Sequence, residues 1–107
     1  MRFATQKYFE DDWGRLKPEH QRQFRAVLKD KFIPACDQWV MAQESGTRYV
    51  WPKSLRFAPL VNAGGIMEMT WSFASPDGRA TFHFAHDAGH WTCFWRRIGD
   101  HGVFRTP

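Results

Sequence analysis

From Phe24 onward, apolar side chains recur at i, i+3, i+4 and i+8 as Phe24, Val27, Leu28 and Phe32, a stripe flanked by Lys, Arg, Gln and Asp. That spacing predicts an amphipathic helix with one face for a core. Pro18 stands where it would begin, since proline's fixed φ and missing N–H suit a first helical position. Pro34 interrupts the pattern, and Cys36, Trp39, Val40 and Met41 extend it as a kinked helix that Ser45-Gly46 ends. Upstream, Tyr8, Phe9, Trp13 and Leu16 predict a shorter helix capped by Thr5. Gly14 costs that helix about 1 kcal/mol and draws its end in ahead of Leu16. Met1 to Thr5 read as an edge-like strand.

The period changes after Thr47. Tyr49, Val50 and Trp51 precede Pro52, and Leu55 and Phe57 take one face of an extended segment with Arg56 on the other. Asn62-Ala63-Gly64-Gly65 is a turn. Met67, Met69, Trp71 and Phe73 then alternate with Glu68, Thr70 and Ser72, predicting a strand whose polar face looks outward. Ser75-Pro76-Asp77-Gly78 is a hairpin connection, so the run from Arg79 should pair antiparallel with that strand. Within it Arg79, Thr81 and His83 share one face and Ala80, Phe82 and Phe84 the other. After a turn at Asp87-Ala88-Gly89, the run Trp91 to Trp95 is apolar on both faces, as a strand with neighbours on each side would be. The predicted class is α+β: an N-terminal αα hairpin packed on one face of a C-terminal antiparallel sheet, forming a single domain over residues 1–107.

Composition sharpens this. Ten Phe and six Trp supply large buried areas and exclude a disordered chain. The formal charge of +4 favours an anionic partner, nucleic acid or acidic protein. Cys36 and Cys93 lack the close spacing of a zinc site or a redox pair and read as reduced thiols. With no basic-then-apolar leader and no apolar run of membrane-spanning length, a cytoplasmic location and no membrane partner are expected.

If helices cover the apolar face of the sheet, the other face presents Arg56, Glu68, Thr70, Arg79, Thr81 and His83, with Arg96, Arg97 and His101 leaving the last strand at the rim. Such a patch suits a phosphodiester. Strand cleavage of RNA needs a group to deprotonate the 2′-hydroxyl, one to protonate the leaving 5′-oxygen, and cations for the charge developing on phosphorus. Imidazole serves either proton role near neutrality, and the guanidinium fork matches phosphate oxygens. No metal is called for, and no cofactor. His83, His86 and His90 are a weak metal set, because His83 and His86 point to opposite faces of one strand.

Leu55-Arg56 before a Gly-rich turn, the Ile66-Met67-Glu68-Met69 strand, Gly78-Arg79 entering a strand with Phe82, and the terminal Trp95-Arg96-Arg97-Ile98-Gly99-Asp100-His101 followed by Val103-Phe104 resemble the RelE/ParE superfamily of bacterial toxins. The likeness runs over nearly the whole chain, including the helical segment from Tyr8 to Phe32. It implies a toxin of a type II toxin-antitoxin system, an mRNA endoribonuclease acting on the ribosome and silenced by a cognate, DNA-binding antitoxin. It also implies that Arg79 contacts the scissile phosphate and that His101 is general acid or phosphate ligand. Glu68 is then a candidate base, and Lys53, Arg56, His83, Arg96 and Arg97 are candidates to hold RNA phosphate. The chain departs from some members in carrying Phe104 where they have tyrosine, and Glu68 and Thr70 where they have lysines. A ParE-like inhibitor that binds DNA gyrase, and a non-catalytic basic protein-binding domain, are the competing readings; imidazole and guanidinium at His101 and Arg79 favour the ribonuclease.

Overall fold

The computed structural model describes residues 1–72, 77–100 and 105–107. Strand β1 (Arg2–Thr5) leads into helix α1 (Lys7–Arg15), and α2 (Pro18–Val27) passes through one π-helical turn (Leu28–Phe32) into α3 (Ile33–Ser45). A short 3-10 helix (Lys53–Leu55) precedes β2 (Ala58–Pro59), β3 (Met67–Ser72), β4 (Gly78–Asp87) and β5 (His90–Gly99). The class is α+β as the patterning predicts, and α1 ends at Arg15, before Leu16.

Pro18 is in the first turn of α2, and Gly46, at φ 68°, closes α3 in the left-handed region that glycine enters at no steric cost. Pro34 falls in the first turn after the π segment. A widened turn there accommodates a ring that lacks an N–H, and the helical run continues past Pro34 to Ser45 as the pattern predicts. The expected Thr5 cap is not made. Gln6 occupies the N-cap without a side-chain bond, and the Thr5 hydroxyl donates to Glu10 Oε1 at 3.0 Å.

The five strands are ordered β1-β5-β4-β3-β2. Strands β2 to β5 pair antiparallel, whereas β1 adds parallel to β5, with Phe3 opposite Cys93 and Thr5 opposite Trp95. The first strand is therefore an edge, and it makes β5 an interior strand with a neighbour on each side, as the patterning predicts. Ala88 and Gly89 both have positive φ and form the two-residue turn joining β4 to β5. The extended segment expected at Leu55 to Phe57 is instead the end of the 3-10 helix, with Arg56 at φ 45°. Pro52 ahead of it and the left-handed Arg56 behind it permit only one turn.

The core lies between the helices and one sheet face. Phe32, Met69 and Phe82 are fully buried, and the Phe32 ring lies 5.1 Å from Phe82 and 5.0 Å from Trp95. Phe24 sets its edge on Trp95 at 5.3 Å and on Trp71 at 6.1 Å. Cys36 and Cys93 are buried free thiols; burial, with Asp37 adding to it, pushes Cys36 up to about 12, and burial pushes Cys93 up as well.

Gly78 begins β4 against the face of Trp71, and a Cβ there would lie 2.5 Å from the indole ring. Gly78→Ala should therefore destabilise by about 1–3 kcal/mol, the usual cost of overpacking a filled core. Urea unfolding with an unchanged m-value measures it; stability equal to wild type would show that the ring yields freely.

Candidate functional site on the outer sheet face

Pairing places Glu68 opposite Thr81 and Thr70 opposite Arg79 on β3 and β4, and Thr81 opposite Arg97 and His83 opposite Phe94 on β4 and β5. These positions lie on the face away from the helices. The register slips between Thr81 and Phe82, where Arg97 and then Trp95 are the partners and Arg96 is the extra residue. Trp95 and Ile98 are both buried in the core, so the bulge gives Arg96 and Arg97 together to the outer side. Strict alternation would have sent one of them inward.

Arg79 is the centre of this face. Its Nη1 donates to Glu68 Oε1 at 3.5 Å and its Nη2 to Asp77 Oδ2 at 3.2 Å, and its side chain is 11% exposed. The sequence candidates Arg79 and Glu68 are thus brought together, and Asp77, read only as a turn residue, joins them. The polar face does not all look outward as predicted. Thr70 and Thr81 are fully buried, and the Thr81 hydroxyl donates to the Pro107 carbonyl at 3.2 Å.

Residues 105–107 return across the face and take its remaining cations. Arg96 Nε donates to the same Pro107 oxygen at 2.9 Å, and Arg97 Nη1 donates to the Thr106 carbonyl at 3.1 Å and hydroxyl at 2.7 Å. Arg96 Nη1 also approaches His83 Nδ1 at 3.1 Å, and the His83 ring stacks on Phe94 at 5.0 Å. Arginine only donates, so Nδ1 is the acceptor and its proton sits on the other nitrogen. Burial, then the Arg96 charge, holds the His83 pKa below 6.5.

Arg97 has a further commitment. Its Nε and Nη2 reach Asp12 of α1 at 2.7 and 3.1 Å, and the same carboxylate accepts the Ile98 backbone N–H at 3.1 Å. The bond to Asp12 raises the Arg97 pKa against the opposing effect of burial. Asp12 carries no signal in the sequence, where it is one of three consecutive acids, Glu10-Asp11-Asp12, on a helix.

The other candidates are dispersed. Lys53 and Arg56 are exposed at the 3-10 helix, not on a strand. His101 lies outside the described residues, as do Phe73, Ser75, Pro76 and Phe104. Among the described residues no three His, Cys, Asp or Glu side chains converge as a metal would require, and no helix is long and apolar enough to cross a membrane.

No protein-family model matches the chain, and no curated protein matches it. Among solved structures it is similar to a YoeB/ParE toxin from Agrobacterium tumefaciens, with a TM-score of 0.49 and 11% sequence identity over 94% of this chain and 99% of that one. No residue role carries over at such identity.

Two expectations follow from the geometry. Asp12→Ala removes three hydrogen bonds and leaves Arg97 without its carboxylate, so it should cost about 3 kcal/mol or more, read as a lowered denaturation midpoint. A loss below 0.5 kcal/mol, on the scale of exposed ion pairs, would contradict this anchor. The second concerns His83, whose folded pKa lies below its unfolded value of about 6.5. Below that pH the unfolded chain binds the extra proton, so stability is full above it and declines as pH falls toward the folded pKa. Thermal melts at neutral and mildly acidic pH should show a larger drop for wild type than for His83→Gln; equal drops would remove His83 as the cause.

Proposed function

We propose that this chain is a toxin of RelE/ParE type, with the helix-on-sheet arrangement of that superfamily, acting in the cytoplasm as a metal-independent endoribonuclease on message held by the ribosome. The observation that carries the reading is the grouping on one sheet face of a carboxylate and a guanidinium, Glu68 and Arg79, at 3.5 Å beside Asp77. Asp77 is the more exposed of the two carboxylates, at 30% against 15%, and it fills the position a phosphate would take on the guanidinium fork.

In this reading a phosphodiester displaces Asp77, and Arg79 then faces the non-bridging oxygens as charge builds on phosphorus. Glu68, beside Arg79, accepts the 2′-hydroxyl proton while the 2′-oxygen attacks phosphorus and the bond to the 5′-oxygen breaks. His101 returns a proton to that 5′-oxygen. Arg96, Arg97 and His83, with Lys53 and Arg56 further out, hold neighbouring phosphates. A cognate antitoxin, itself DNA-binding, is the expected silencing partner.

A second reading, a ParE-like protein that inhibits DNA gyrase, is favoured by the slight exposure of Arg79, 11%, and its two carboxylates, which suit a structural arginine. Single-turnover cleavage of a ribosome-bound message separates the two. Arg79→Ala should lose about 3 kcal/mol of transition-state stabilisation, roughly a hundredfold in rate. His101→Ala should also slow cleavage and flatten its dependence on pH near the histidine pKa. Lys7→Ala, exposed on α1, should cleave as wild type does. Circular dichroism controls for folding, because Arg79→Ala leaves two carboxylates facing each other; Arg79→Lys keeps the charge and loses the fork. Undiminished cleavage by a folded Arg79→Ala/His101→Ala protein would remove this site. Supercoiling inhibition without cleavage would establish the second reading.

A further inference from the structure

The outer sheet face is closed at one end and open at the other. Thr70 and Thr81, near Arg79, are fully buried, whereas Ala4, Ala85, Thr92 and Phe94 on β1, β4 and β5 are all partly open to solvent. The register sets Phe94 between His83 of β4 and Ala4 of β1. Phe3 packs on Phe32 of the core at 6.4 Å, so its neighbours Arg2 and Ala4 lie on the outer side with Phe94. The His83 and Phe94 rings are stacked at 5.0 Å, within 16° of parallel, and that contact covers the Phe94 face turned to β4. The opposite face looks over Ala4, whose methyl group is too small to cover it. Cations flank the ring along the strands. Arg2 is exposed opposite Thr92, two residues before Phe94, and Arg96 comes two residues after it, so each lies about 7 Å from the ring at the strand rise of about 3.3 Å per residue.

We propose that the free face of Phe94 is a nucleobase subsite: one base of a single-stranded RNA stacks there above Ala4, and the phosphates on its two sides meet Arg2 and Arg96. An aromatic face between two cations on an open sheet suits a single strand, since every base has a π-face and the backbone carries a charge at each nucleotide. A duplex does not fit, because its bases are already stacked on one another. The side chain that holds the ring in place brings no charge of its own near neutrality. Arg96 donates to His83 Nδ1, and burial together with that guanidinium keeps the His83 pKa below 6.5, which leaves Nε2–H as a donor toward a phosphate or a base edge. Arg79 lies four residues from His83 along β4, about 13 Å at the same rise of about 3.3 Å per residue, so the stacked base belongs to a nucleotide beyond the cut. The subsite rests on the proposed reading of this face as an RNA site. It adds a grip on bases to the grip on phosphates, and with it a preference for purines, which stack over more area than pyrimidines.

The probes are a short fluorescein-labelled 2′-O-methyl oligoadenylate, which cannot be cut, and an abasic phosphodiester chain of the same length, measured by anisotropy against the whole protein. The oligoadenylate should bind, and the abasic chain should bind more weakly. Phe94→Leu should weaken the oligoadenylate roughly tenfold, as loss of one base–aromatic stack does, and should not weaken the abasic chain further. Arg2→Gln should weaken both chains, because it removes a phosphate contact and leaves the ring. If Phe94→Leu does not keep the wild-type circular dichroism, Ala4→Leu decides instead: it fills the space over β1 with the ring still in place, and it should weaken the oligoadenylate alone. Equal binding of the two chains by the wild-type protein overturns the subsite, and so does an equal effect of Phe94→Leu on both. Oligoadenylate binding that a folded Phe94→Leu protein keeps in full removes the subsite and leaves the RNA reading standing. Failure of the wild-type protein to bind either chain removes that reading, and the subsite with it.

Discussion

Where β1 ends at Thr5, strand β5 has four more residues to run, and among the described residues no strand lies beside its outer edge there. The Gln6 N–H carries the pairing one bond further, to the Trp95 carbonyl at 2.9 Å. Beyond it Asp12 takes over: one carboxylate accepts the Ile98 N–H and both arms of Arg97, replacing a missing strand with a side chain. An unpaired N–H next to the buried Ile98 would be costly, and so would a carboxylate buried as deeply as Asp12 without its cation. Each need is met by the other. The arrangement fixes α1 against β5, and with it the angle at which Phe9 meets Trp95.

The β5 bulge is the second half of the same construction. By letting Arg96 and Arg97 leave the core side together, it returns Ile98 to the core and supplies the guanidinium that Asp12 needs. It also concentrates positive charge on the outer face, where acceptors gather in response. Arg79 has Glu68 and Asp77, Arg97 has Asp12 and Thr106, and Arg96 has Pro107 and His83. The face is closely compensated. An anionic ligand there must exchange one acceptor for another, which makes displacement of Asp77 or of residues 105–107, and not simple attraction, the energetic step that sets affinity.

The two sides of the molecule differ in kind. The outer face is built from charges satisfied at short range, while the helix side carries an aromatic cavity whose rings are already in contact, Phe9 with Trp13 at 6.1 Å and Trp13 with Phe24 at 5.8 Å. Side chains locked against each other hold a cavity open, because closing it would drive rings off favourable geometry.

Local chemistry made much of this legible in the sequence. The stripe of Phe24, Val27, Leu28 and Phe32 and the alternation of Met67, Met69 and Trp71 report periods of 3.6 and 2, and those periods decide element type and core face without reference to anything distant. Pro18 and Gly46 mark the helix ends for equally local reasons, one by its fixed φ and the other by its freedom. Turn chemistry brought Arg79 into a strand facing Glu68, so the carboxylate and guanidinium pair was within reach of reasoning by face. The partners of the remaining charges were not, since an ion pair between residues such as Asp12 and Arg97 leaves no mark on the spacing of either. The bulge that moved both arginines outward breaks the period on which a strand is read. The burial of Thr70 and Thr81, and the return of residues 105–107 across the face, depend on how distant segments lie over one another. Sequence determined the elements and their apolar faces because those follow from neighbours a few residues apart; only the tertiary structure decided which acceptor each charge would meet, because that is set by where the packed elements bring the chain back together.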